Sequence, residues 1–167
     1  MTIPVVAIVG LSNSGKTTVA VALIRILTER GYSIAAVKHS PHGHQIDRPD
    51  TDSARLFAAG ASRVMLSSPG QVTSIQRTNS DTPLEEIVAS LEPGYHLVIA
   101  EGFKNSTLPK VMVLSDVPIS PPPHNVIAVV GTGKVCADIP HYALQQLEEL
   151  ADQIQGQLLA PKTPSLP

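Results

Sequence analysis

Along the first third of the chain the apolar residues change period twice. Pro4 to Gly10, PVVAIVG, is a short continuous run rich in valine, the pattern of a strand buried on both faces of a parallel sheet. From about Lys16 to Arg30, Val19, Leu23, Ile26 and Leu27 recur at helical spacing, which predicts a helix with one buried face. Gly31 suits its C-terminal cap. YSIAAVKHS then returns to the strand pattern. A strand, loop, helix and strand in this order predict a right-handed parallel crossover.

Further along, TDSARLFAAGAS reads as a helix, with Thr51 or Asp52 near its N-cap and Gly60 near its end. RVMLSS and QVTSIQRT read as strands joined at Pro69-Gly70. TPLEEIVASLEPG predicts a short helix opened by Pro83. HLVIAEGF, KVMVLS and NVIAVVG are three more strand patterns, and DVPISPPPHN is a proline-rich loop. PHYALQQLEELADQI predicts a closing helix that buries Leu144, Leu147, Leu150 and Ile154. Strands alternating with helices predict a three-layer α/β fold with a mostly parallel sheet. The RVMLSS–QVTSIQRT hairpin would extend that sheet at one edge, a natural dimerisation surface. One domain over residues 1–158 is expected, followed by a flexible tail over 159–167.

Composition narrows the partners. The chain has 167 residues, 43% hydrophobic and 16% charged, enough for one folded core. The net charge of −2 offers no basic excess for a nucleic-acid backbone. Cys136 is the sole cysteine, so no disulfide can form within the chain, and a reducing compartment is expected. No signal sequence is evident and no apolar run is long enough to span a bilayer, so a cytoplasmic protein is expected.

The loop between the first strand and helix carries the chemistry. Gly10 to Thr18 reads GLSNSGKTT and fits Gly-x-x-x-x-Gly-Lys-[Ser/Thr]. Gly10 and Gly15 permit backbone conformations that a side chain would block. The N–H groups of Ser12, Asn13, Ser14 and their neighbours then turn inward around phosphate oxygens, at a helix N-terminus. Lys16 would reach the β- and γ-phosphates and the Thr17 hydroxyl would ligate Mg²⁺. Chance would produce the four fixed positions on the order of once in a hundred chains. Here they also sit between a strand and a helix. Glu101, ending the LVIAE strand, is the carboxylate such a site needs. Its reach favours contact with the metal through water. A solvent-facing acid is the plainer alternative.

The segment VKHSPHGHQIDRPDTDSARLFAAGA follows a predicted central strand, at the sheet edge where α/β folds bind ligands. Lys38 and His39 end the strand. Asp47, Asp50 and Asp52 could hold metal through water or position an attacking water, or serve as caps and loop charges. His39, His42 and His44 form H-x-x-H-x-H, but no cysteine accompanies them. Loop polarity or substrate contact is favoured over a zinc site.

Together, IVGLSNSGKTT, RGYSIAAVKHS, the D-x-x-D-x-D-S-x-R…AAGA pattern from Asp47 to Ala61, LVIAEGFK and the following PKV resemble the molybdopterin-guanine dinucleotide biosynthesis protein B (MobB) family. The resemblance runs from about Pro4 to Leu114. It implies a GTP-binding adapter of molybdenum cofactor assembly, with feeble GTPase activity at most and a phosphate-loop fold that dimerises through its sheet. Its implied partners are the molybdopterin guanylyltransferase and the molybdenum insertase, with molybdopterin or its guanine dinucleotide as a further ligand. By position, Gly10 to Thr18 would bind phosphates, and Thr17, Glu101 and Asp47 would serve Mg²⁺. Lys16, Asp47 and Glu101 would carry any hydrolysis. Asp47 and Asp52 would lie in a switch-like segment, and Gly102, Phe103 and Lys104 would sense the γ-phosphate. Where the family would have a Ser-Asp-type turn, this chain has GTGK, Gly131 to Lys134. Thr132 and Lys134 are therefore candidates for base contact. No Asn-Lys-x-Asp guanine signature is visible, so the preference for GTP rests on the resemblance. Two other functions compete. A small-molecule kinase would need an arginine lid, for which RPDTDSAR is short. A nucleotide-sensing switch would have no link to molybdenum.

Overall fold

The computed structural model describes residues 3–41, 43, 48, 50–91, 93–115, 123–133 and 138–159. The chain divides into two compact units, Met1–His39 with Ile87–Pro167, and Ser40–Glu86.

The first unit is built on a six-stranded sheet. Its strands are β1 (Val5–Val9), β2 (Ile34–Lys38), β5 (Leu97–Glu101), β6 (Lys110–Leu114), β7 (Val126–Gly131) and β8 (His141–Tyr142). They lie in the order β2-β5-β1-β6-β7-β8, and every pairing is parallel. This is the α/β architecture that the alternating pattern predicts. Both faces of the central strands are buried, which explains why they read as continuous apolar runs. On one face Val6, Ile8, Leu97 and Ile99 pack with Val19, Leu23 and Leu27 of α1 (Lys16–Glu29) and with Leu150 and Ile154 of α4 (Leu147–Leu158). On the other face Ala7, Val9, Met112, Leu114 and Val129 form a second cluster.

Helix α1 ends as Gly31 predicts. Gly31 has φ 79°. Its N–H donates to the Thr28 carbonyl at 2.8 Å, and the Tyr32 N–H to the Leu27 carbonyl at 3.0 Å, which is the Schellman pattern.

The end of the chain departs from expectation. His141 and Tyr142, read as part of the closing helix, form β8 beside β7. Ala143 is extended, with φ −76° and ψ 162°, and a 3₁₀ turn over Leu144–Gln146 leads into α4. The open edge of β7 offers unpaired N–H groups, and the Pro140 carbonyl takes that of Val129 at 2.9 Å. Pairing there displaces the first helical turn. Leu144, expected to be buried, is 52% exposed, while Leu147, Leu150 and Ile154 are buried as predicted.

The chain from β5 to β6, residues 102–109, has no helix. Lys110 anchors it. Its side chain is fully buried, and its ammonium donates to the carbonyls of Ser106, Leu108 and His124. One cation thereby ties the incoming loops of β6 and β7 together.

The second unit holds α2 (Asp52–Ala58), β3 (Arg63–Ser68) and β4 (Gln71–Gln76). Thr51 is the N-cap of α2, its hydroxyl accepting from the Ala54 N–H. The guanidinium of Arg77 lies 4.0 Å over the Phe57 ring and donates to the Ala61 carbonyl at 3.2 Å. The hairpin turns at Pro69-Gly70 as predicted, but β3 and β4 form a two-stranded sheet of their own. Among the described residues no ladder joins them to the six-stranded sheet, so the expected edge extension is replaced by a separate hairpin. The reason is visible in its spelling: four of the six residues in β4 and three of the six in β3 are polar, and of both strands only Val64 is buried. A member of the main sheet would be covered on both faces. Helix α3 (Leu84–Ala89) follows the hairpin.

Candidate functional site

Strand β1 ends at Val9, and the phosphate-loop sequence follows at the carboxyl edge of the parallel sheet. Gly10 sits where no side chain fits: an added Cβ would lie 2.4 Å from the Val113 carbonyl oxygen and 2.6 Å from Ser14 Oγ. Asn13 and Gly15 both have left-handed backbones, φ 59° and 93°. Such alternation curls a loop around an anion. Gly15 is the N-cap of α1 and supplies no side-chain cap. The N–H groups of Lys16, Thr17 and Thr18 therefore have no acceptor behind them in the helix. Ser14 Oγ is buried and has no hydrogen-bond partner among the described residues, and Ser12 is exposed on the loop.

Lys16 donates from Nζ to the Leu11 carbonyl at 2.6 Å, closing the loop on itself. Thr17 Oγ1 donates to Glu101 Oε2 at 2.8 Å. That bond spends the hydroxyl's only proton and leaves its lone pairs for a cation. A hydroxyl with free lone pairs beside an ionised carboxylate is an oxygen donor set that suits Mg²⁺. Glu101 Oε1 pairs with Lys38 Nζ at 2.9 Å. Burial alone would push the Glu101 carboxyl up. The Lys38 ammonium and the Thr17 hydroxyl, aided by the charge on Lys16, outweigh burial and hold it below its ordinary 4.5.

Backbone register brings these groups together. Lys38 is opposite Glu101 in the β2–β5 ladder, and Ile8 is opposite Glu101 in the β1–β5 ladder. Beyond them, the His39 N–H donates to the Glu101 carbonyl at 3.0 Å, and the His39 ring packs on Phe103 with centroids 5.0 Å apart. Gly102 has φ 104°, and a Cβ there would lie 3.1 Å from that of His39. Phe103 itself has φ 56°, a costly conformation for an aromatic residue.

Lys16, Thr17, Lys38, His39, Glu101 and Gly102 thus lie in one unit at adjoining strand ends. Thr132 is exposed in the turn after β7. Gly131 there is a close-approach glycine, since its Cβ would lie 2.1 Å from the Leu114 carbonyl oxygen. His141 Nε2 is 2.7 Å from the Gly131 carbonyl oxygen and holds that turn. Asp47, Lys134, His42 and His44 lie outside the described residues, as do most of the proline-rich loop and the tail beyond 159. Asp52 opens α2 in the other unit, 3.7 Å from Arg55. Sequence reasoning missed the Lys38–Glu101 pair, the His39–Phe103 contact and the Lys110 anchor. The apolar run KVMVL carried the one available signal for Lys110, a lysine heading an otherwise buried strand.

A parallel sheet whose first strand runs through a glycine loop into a helix, with a carboxylate on the adjoining strand facing the helix's second residue, defines the phosphate-loop class of α/β proteins. The comparisons agree. Residues 5–132 match the family described as Molybdopterin guanine dinucleotide synthesis protein B, MobB, and the chain belongs to that family. It is 30% identical over 160 residues to the molybdopterin-guanine dinucleotide biosynthesis adapter protein of Haemophilus influenzae, covering 93% of this chain and 90% of that one. The Escherichia coli protein of the same name is 29% identical over 158 residues, 90% of each chain. The crystal structure of Bacillus subtilis MobB superposes with a TM-score of 0.72 at 26% identity, over 96% of this chain and 100% of that one.

Proposed function

We propose that this chain is a GTP-binding adapter in the formation of molybdopterin guanine dinucleotide. The observation that carries the reading is the Thr17–Glu101 bond at the head of an uncapped glycine-loop helix, in a chain of the MobB family. The loop amides and Lys16 hold the β- and γ-phosphates, Lys16 exchanging the Leu11 carbonyl for them. Thr17, through its hydroxyl lone pairs, and the Glu101 carboxylate beside it would hold Mg²⁺. Bound Mg²⁺ supplies charge neutralisation of the phosphates. Thr132 and Lys134 contact the base. The partners are the molybdopterin guanylyltransferase and the molybdenum insertase, with molybdopterin or its dinucleotide as the anionic cargo. The protein acts in the cytoplasm as a homodimer. Among the described residues no helix is long and apolar enough to cross a membrane.

Calorimetric titration with GTPγS and ATPγS, each with Mg²⁺, tests the reading on the wild type and Lys16→Ala. Binding selective for GTP and lost in the variant supports it. Equal or preferential ATP binding moves the assignment to a kinase.

A further inference from the structure

We propose that the Lys38 ammonium and a divalent cation are alternative counter-charges for the Glu101 carboxylate, so that Lys38 sets how much metal the nucleotide site requires. The proposal rests on the nucleotide reading of the site. Both oxygens of Glu101 are engaged, Oε2 by the Thr17 hydroxyl and Oε1 by Lys38. The carboxylate side chain is only 14% exposed, and a charge so far from water must keep a positive partner.

The two members of the pair differ in what holds them. The side chain of Lys38 is 62% exposed. Its ammonium is largely hydrated on a flexible stem, so leaving the pair costs little. The backbone beneath it is fixed by the ladder register with Glu101, by the His39 N–H to the Glu101 carbonyl, and by the His39 ring against Phe103. Exchange therefore needs rotation of one side chain and no movement of the strand. A cation that reaches the Thr17 lone pairs and Glu101 comes within a few ångströms of the Lys38 ammonium, and like charges at that range repel. Only one of them can neutralise Glu101 at a time.

Removing the charge at Lys38 should then tighten metal binding, and an arginine there should not. The test is a Mn²⁺ titration of the full chain followed by electron paramagnetic resonance, with and without GTPγS, for the wild type, Lys38→Met and Lys38→Arg. Lys38→Met should lower the half-saturating Mn²⁺ concentration by about five-fold or more, the factor one unit charge at ~4 Å exerts even in bulk water. Lys38→Arg should match the wild type or need more metal. An unchanged value in Lys38→Met overturns the proposal, as does an increase, which would assign Lys38 to the phosphates. Absence of Mn²⁺ binding in both the wild type and Lys38→Met also overturns it. Binding of a fluorescent GTP analogue at saturating Mg²⁺ reads the phosphate loop separately. Its absence in every protein would overturn the nucleotide reading, while the titration without nucleotide still decides between Lys38 and metal.

Discussion

Gly10 is a glycine because the end of β6 stands over it. Gly10→Ala would press a methyl group against the Val113 carbonyl and Ser14 Oγ. Backbone cannot yield as a flexible side chain can, so a loss of about 1–3 kcal/mol is expected, read from urea unfolding. Glu101 gives a pH signature. Its folded pKa lies below the unfolded 4.5. The stability it contributes is fully present above 4.5 and is lost as pH falls through the folded value. Glu101→Gln should therefore show a smaller drop in melting temperature between pH 6 and pH 3 than the wild type. An equal drop would mean that the Lys38 and Thr17 partners do not hold the carboxylate down. The loop spelling pointed to Gly10, Lys16 and Thr17, and the strand-end position to Glu101, because each is a local pattern. That Lys38 reaches Glu101 was not legible. It depends on which residues stand opposite one another in β2 and β5, and strand period carries no information about pairing between distant segments.

Among the elements, the buried strands and α1 were legible because burial on both faces and a 3.6-residue period each leave their own trace. The element that failed, the start of the closing helix, failed for a tertiary reason: the edge of β7 recruits His141 and Tyr142. Lys110 shows the same limit from the other side. A lysine at a strand start reads as a solvent charge, yet here three carbonyls enclose it. Lys110→Met would remove the cost of burying a charge but leave those carbonyls short of a donor. The unpaired acceptors should dominate, and a loss of about 1–3 kcal/mol in urea unfolding is expected. The variant should also differ in alkaline behaviour. Burial lowers the Lys110 pKa from 10.5. Between the folded value and 10.5 the unfolded chain holds more protons, so the wild type gains stability from this group as pH rises. Lys110→Met should lack that gain, and an identical pH slope would show that the ammonium is not held away from water.

The hairpin raises the question of assembly. A two-stranded sheet is marginal unless something covers it. In β3 and β4 the register pairs Val64 with Ile75 on one face and Met65 with Ser74 on the other, where Val72 stands opposite Ser67. On the first face Val64 is buried, while Leu66 is 40% exposed. Met65 and Val72, on the second face, are 62% and 63% exposed. Two large apolar side chains left open on one face of a small sheet are an interaction surface, and a second copy of the same hairpin presents the matching face. We expect the homodimer proposed above to close through it. Met65→Asp with Val72→Asp places charges at the centre of that contact but leaves the buried Val64 untouched. The double variant should sediment as a monomer at concentrations where the wild type is a dimer, with at least a ten-fold rise in the dissociation constant and unchanged GTPγS binding. A dimer that survives both charges would place the interface elsewhere, and a monomeric wild type would remove the dimer from the proposal.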